Sequence, residues 1–298
     1  MTKIRSSDSS MIDDRRGSGG GGGSFPGLGG GGFPIPMKAG GGLLGLIVVL
    51  AALFLPKLLG GSPTTSGVTQ PIDRTGPAAE QQSCTSDLEQ IVCGATDDVQ
   101  QYWAKNLPAF YGTQYEDTKT VLFTDGTNTG CGQASAQTGP FYCPVDHLVY
   151  IDLGFMQALE QQLVGTTSDL AEQYIIAHEY GHHIQNLIGI NAQVQQAEQS
   201  DPGRANQYSV AMELQADCFA GMWVGDVASR GLLDSADEIK EALNAAAGVG
   251  DDRIQEKTQG RIDKEAWTHG SAEQRQTWFT RGYNSGDPKQ CDTFSEVL

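Results

Sequence analysis

The chain has 298 residues, 39% of them hydrophobic, and a formal net charge of −17. That length suits one or two domains, and the apolar content excludes a wholly disordered acidic polymer. From Gly60 to Leu298 there are 33 acidic against 13 basic side chains. Nucleic-acid binding relies on Lys and Arg displacing counterions, so a domain this acidic excludes nucleic acid as a partner.

The glycines are unevenly spread, with 14 of the 39 between Gly17 and Gly42, where almost nothing could build a core. Residues 1–42, broken by Phe25-Pro26, Phe33-Pro34 and Ile35-Pro36, read as a disordered Gly-rich arm. An apolar run follows from Leu43 to Leu55 and resumes at Leu58-Leu59; counted from Ala39 it reaches about the ~20 residues that cross a bilayer. It reads as a transmembrane signal anchor over 43–59, with Lys57 close enough to the end to snorkel. A cleaved signal peptide has an apolar stretch of similar length, but 42 residues precede this one and no Ala-x-Ala follows it. A buried core helix is the remaining alternative. Lys3, Arg5, Arg15, Arg16 and Lys38 stand before the run and only Lys57 at its end, so the positive-inside rule predicts a cytoplasmic N-terminus and a distal domain outside. Residues 60–82, rich in Ser, Thr, Pro, Gly and Gln, suit a flexible linker. Residues 83–298 then form the folded domain, long enough to bury one sizeable core.

Six cysteines, Cys84, Cys93, Cys131, Cys143, Cys218 and Cys291, lie in that domain. An even number on the exported side implies disulfides. Proximity favours Cys84–Cys93 and Cys131–Cys143, which leaves Cys218–Cys291. No Cys-x-x-Cys occurs, which disfavours a cysteine zinc cluster or a thioredoxin-type site.

Ser168–Gly189 predicts one helix of roughly five turns, with Asp169 and Glu172 as a capping-box-like start and Gly189 as its stop. His178 and His182, four residues apart, lie one above the other on a single face and can share a tetrahedral Zn²⁺. Glu179 follows the first histidine and sits beside the open position of such a metal, where it can take a proton from metal-bound water without being a ligand. This His-Glu-x-x-His spacing also occurs by chance on solvated helix faces. Here the flanks are apolar, and Gly181, which costs about 1 kcal/mol in a helix interior, points to a close backbone approach. His183 faces elsewhere and reads as a core or supporting residue. A catalytic zinc needs a third protein ligand. Ser209–Trp223 supplies a candidate, because Glu213 and Asp217 share one face of a helix otherwise full of Ala, Leu, Phe and Trp. Glu213 as ligand and Asp217 as the acceptor that orients a ligand histidine account for both; a solvated acidic pair is the alternative. Ser200-Asp201-Pro202-Gly203 marks a turn that lets the two helices pack antiparallel.

His178-Glu179-Tyr180-Gly181-His182-His183-Ile184-Gln185, together with Glu213-Leu214-Gln215-Ala216-Asp217-Cys218-Phe219-Ala220-Gly221, resembles the bacterial neutral zinc metallopeptidase family of membrane-anchored proteins. Gly139–Pro144 running into Val149–Leu153, Gly250–Ile254 and Thr268–Arg275 match it as well. The resemblance implies an α+β zincin-like domain of the gluzincin kind, mostly helical with a small sheet. It also implies Zn²⁺ held by His178, His182 and Glu213, Glu179 as catalytic base, and a bacterial inner-membrane location with the catalytic domain outside.

His269 is the candidate donor to the oxyanion, because it stands just before Ser271-Ala272-Glu273-Gln274, a capping box that opens a further helix. A structural helix-entry histidine is the alternative. Arg275, one turn on, is a second candidate for the oxyanion or a substrate carboxylate, or else a salt-bridge partner. Asp251 and Asp252 suit caps or salt bridges better than a second cation site. Leu148–Leu153 predicts a strand, expected to be the edge that pairs with extended substrate, with a merely structural strand as the alternative. Ser235–Glu238 caps a supporting helix that ends near Gly248. The combined reading is a single-pass membrane-anchored zinc peptidase acting on peptides or proteins. The alternatives are an idle metal-stabilised envelope scaffold and an amidase acting on cell-wall peptides.

Overall fold

A computed structural model describes residues 2–16, 83–135, 138–159 and 168–295. The expected anchor over 43–59 and the linker over 60–82 lie outside these residues. Among the described residues no helix is long and apolar enough to cross a membrane. The described part is helix-rich with a small sheet, the α+β composition expected of a zinc peptidase domain.

A four-stranded sheet runs in the order β1 (Ile12–Asp14), β2 (Thr120–Phe123), β6 (Leu148–Asp152), β5 (Phe141–Cys143). The first three strands are parallel, and β5 pairs antiparallel with β6. A separate hairpin, β3 (Gly126–Thr129) and β4 (Gly132–Ser135), is tied to β5 by the Cys131–Cys143 disulfide. Two expectations change. The Leu148–Asp152 strand is not an edge, since β2 and β5 flank it on both sides and its valine, tyrosine and isoleucine are buried. The edge next to the helices is β5. Residues 2–16, expected within a disordered arm, are folded onto the domain, and Ile4 and Ile12 join its main core. The reason is pairing with residues more than a hundred positions away: Ile12–Asp14 find Thr120–Leu122.

The helices are α1 (Asp87–Tyr111), α2 (Leu153–Leu159), α3 (Asp169–Leu187), α4 (Ile190–Ser200), α5 (Ala205–Ser229), α6 (Asp237–Gly248), α7 (Asp251–Gln259) and α8 (Ala272–Ser285). Helix α3 matches its predicted span, although its cap is Ser168, whose hydroxyl accepts from the Ala171 amide. Gly189 takes the left-handed conformation (φ 81°) just beyond the helix and starts α4, an element that the turn signal at Ser200–Gly203 did not reveal. Helix α3 is buried on nearly every face, so its stability comes from packing more than from propensity. It runs antiparallel to α5: Tyr174 and His178 meet Asp217, Gly181 meets Ala216, and Gln185 meets Met212. A Cβ on Gly181 would stand 3.0 Å from the Ala216 Cα, which is the close approach that the glycine implied.

Helices α5 and α8 cross still more tightly. A Cβ on Gly221 would fall 2.1 Å from the Phe279 carbonyl oxygen, and one on Gly282 1.9 Å from that of Cys218. The Cys218–Cys291 disulfide closes the same corner, and the other two pairs are those that proximity favoured. Overpacked cores lose about 1–3 kcal/mol or more, so Gly221→Leu is expected to lower the thermal midpoint by several degrees or prevent folding. An unchanged melting curve would show that the crossing is looser than described.

Candidate metal centre

The cluster is built from two helices. On α3, His178 and His182 are one turn apart, and on α5, Glu213 faces both: its carboxylate oxygens lie 3.2 Å from His178 Nε2 and 3.4 Å from His182 Nε2. One ligand atom from each residue falls within 4.8 Å of the others, the grouping among the described residues able to hold a metal ion. Donors roughly 2.0–2.1 Å from a tetrahedral ion stand about 3.3 Å apart, so the two short separations fit zinc.

The outer ring atoms are already engaged, which turns both Nε2 atoms toward Glu213 as the positions from which the imidazoles could take an ion. His178 Nδ1 donates to Asp217 at 2.9 Å, and His182 Nδ1 donates to Gln185 Oε1 at 2.8 Å. Gln185 in turn donates to the Met212 carbonyl at 2.7 Å and to Gln215 at 3.1 Å, and Gln215 donates to the Cys291 carbonyl at 3.0 Å. Asp217 is fully buried and is held by Arg275 of α8 through two bonds of 2.8 and 2.9 Å, with the Tyr174 hydroxyl on the same carboxylate. Arg275 is thus the salt-bridge partner of Asp217, not a free donor at the site. Breaking one side of such a buried pair costs about 3–5 kcal/mol.

The electrostatics favour a positive charge between the imidazoles. Burial opposes protonation of His178, yet Asp217 and Glu213 outweigh it and push its pKa up to about 10. Burial would raise Glu213, but His269, His182 and His178 hold it well below the usual carboxylate range. Glu179 behaves differently: burial pushes its carboxyl up, against the pull of His178, His182 and the Tyr142 backbone N–H on β5. Side-chain exposures of 16% for His182 and 15% for Glu213 leave the cluster reachable from solvent, whereas Asp217 behind it is dry.

His269 lies in the turn before α8. Ser209 of α5 donates to the Thr268 carbonyl at 2.9 Å, and Gly270, at φ 87°, packs on Leu214, one residue from Glu213. Asp251 holds this turn: one oxygen accepts from the amides of Thr268, His269 and Gly270 at 2.8, 2.6 and 2.9 Å, and the other faces His269 Nδ1 at 3.2 Å. Asp252 accepts from the Ala272 amide at 2.7 Å and so supports the start of α8, beside the expected Ser271–Gln274 capping box. Asp251 as the partner of His269 was not legible in sequence, because 18 residues separate them and nothing local pairs them. His183 is buried as expected. Its Nε2 donates to the Glu116 carbonyl at 2.7 Å and its Nδ1 accepts from the Tyr142 hydroxyl at 3.1 Å, which ties α3 to β5.

Two predictions follow from these contacts. Asp217→Asn, which keeps the shape but weakens the acceptor behind His178, is expected to lower zinc affinity by roughly 10–100-fold, measured by chelator competition; unchanged affinity would remove Asp217 from the metal's support. Burial lowers the pKa of His183 from 6.5 to about 4. The unfolded chain therefore takes up that proton first, and stability falls as pH drops from 6.5 to about 4. Urea melts of wild type and His183→Gln across that window should show a shallower acid loss in the variant.

Over residues 1–294 the chain matches the family described as "Putative neutral zinc metallopeptidase". It is 41% identical over 258 residues to "Uncharacterized protein YpfJ" of Escherichia coli K12, covering 86% of this chain and 88% of that one. It is also 42% identical over 256 residues to "Uncharacterized protein Rv2575" of Mycobacterium tuberculosis H37Rv, covering 80% and 84%. No solved structure matches it significantly. The family matches across nearly the whole length, and the donor set of the two antiparallel helices is one that suits zinc: the chain belongs to the neutral zinc metallopeptidase family.

Proposed function

We propose that the chain is a zinc-dependent peptidase that hydrolyses peptide bonds, with His178, His182 and Glu213 as metal ligands and Glu179 as general base. The observation that carries this is the pair of Nε2 atoms turned on one carboxylate at 3.2 and 3.4 Å, with the buried Glu179 between the two histidines in sequence. A zinc ion at this position would polarise the scissile carbonyl and acidify water. Glu179, its carboxyl raised by burial, takes a proton from the attacking water and delivers it to the leaving nitrogen. Asp217 and Gln185 keep the histidine rings turned inward. His269 accepts at Nδ1 from the Thr268 hydroxyl at 2.9 Å, in a turn held by Asp251, and so carries its proton on Nε2, from which it donates to the carbonyl oxygen as negative charge develops there. Strand β5, the sheet edge whose Tyr142 is bonded to His183 and Asn186 of α3, takes the place of Leu148–Asp152 as the strand to which extended substrate adds.

A mixed peptide library assayed with metal content tests the reading. Glu179→Gln is expected to keep its zinc and lose about 10²–10⁴ in kcat. His269→Ala is expected to lose roughly 10²-fold in kcat with little change in KM. Chelation should abolish wild-type cleavage and added zinc restore it. Zinc-loaded wild type that cleaves nothing, or cleavage equal in wild type and Glu179→Gln, would overturn the mechanism.

A further inference from the structure

The N-terminal residues are built into the domain. Strand β1 extends the sheet on β2, and the amides of Lys3, Ser6 and Arg15 donate to the carbonyls of Leu232, Gln90 and Leu122 at 2.9, 3.0 and 2.8 Å. A Cβ on Gly94 would stand 2.6 Å from the Arg5 Cα, so α1 carries a glycine where the segment lies against it. Arg5 pairs with Asp87 and, at 2.7 Å, with Asp169, while the buried Gln173 amide donates to the Ile4 carbonyl at 2.8 Å. Asp169 and Gln173 belong to the first turns of α3, the helix of His178. Without the segment, β2 would present an open edge and Gln173 a buried donor with no acceptor.

These contacts constrain where the N-terminus can be. A single bilayer crossing between Arg16 and Ser83 would put β1 and β2 on opposite sides and leave the sheet hydrogen bonds unmade. We infer that residues 2–16 share the compartment of the metal centre and are a strand of its domain, on one face of any membrane the chain meets. The charge count that suggests opposite faces treats the N-terminal cations as free. In the fold, Arg5 is neutralised by Asp87 and Asp169, Arg15 by Asp13, and Arg16 by Asp14 and Glu89. The Lys3 ammonium donates to the Gly231 carbonyl at 3.0 Å.

The inference does not depend on the peptidase reading, and its test reads position instead of activity. In intact cells making the full chain, Ser7→Cys and Ala104→Cys variants, both at exposed positions, are treated with a membrane-impermeant maleimide. The six native cysteines are all paired and add no background. Both positions are expected to label alike, either together in intact cells or together only after lysis; labelling of one without the other overturns the inference. In the wild-type full chain extracted in mild detergent, the Ser6 and Arg15 amides are expected to exchange roughly 100-fold or more slower than in an unstructured peptide. Exchange at the unstructured rate overturns it as well.

Discussion

The site depends on one close contact, the approach of α3 to α5 where Gly181 lies on Ala216. A Cβ at Gly181 would require α5 to give by a few tenths of an ångström and a longer side chain by more, which would draw the carboxylates of α5 away from the imidazoles of α3. Everything else at the corner holds that distance. Gln185 grips the backbone of α5, Arg275 reaches in from α8, and the glycine crossing of α5 and α8 with the Cys218–Cys291 bond fixes the third helix. Because packed interiors are dense and yield little, a single glycine contact can set the geometry of the whole cluster.

Two carboxylates one turn apart on α5 end in different surroundings and acquire different tasks. Asp217 is dry, paired with Arg275 and Tyr174, and reaches the cluster only through the His178 ring. Glu213 is partly exposed and faces both ring nitrogens directly. The division rests on where α8 lies: Arg275 neutralises the inner carboxylate and leaves the outer one to compensate a cation. The His269 turn is set by the same logic, with Asp251 collecting three backbone amides and one imidazole nitrogen.

The sheet ends in β1 on one side and in β5 on the other. Residues 12–14 cover β2, and β5, beside α3, has no strand on its outer side among the described residues. The β5 edge is the one next to the cluster, and the Tyr142–His183–Asn186 contacts tie its position to the helix that carries the imidazoles. This gives the buried, neutral His183 a mechanical task, although it neighbours His182 of the cluster.

Much of the centre was legible from sequence because helices are local. A spacing of four puts His178 over His182 and Glu213 over Asp217 whatever surrounds them, apolar flanks announce burial, and Gly181 announces a close neighbour. Disulfide pairs nearby in sequence were legible for the same reason. Tertiary structure alone decided the rest. Asp251 meets His269, and Arg275 meets Asp217, because separate helices converge; no local pattern links them. Leu148–Asp152 became an inner strand because β2 arrived on one side and β5 on the other. Residues 2–16, with few apolar side chains beside a Gly-rich tract, look like an unstructured arm when read locally. Short strands have no stability of their own, so only the distant edge of β2 could make this one part of the domain.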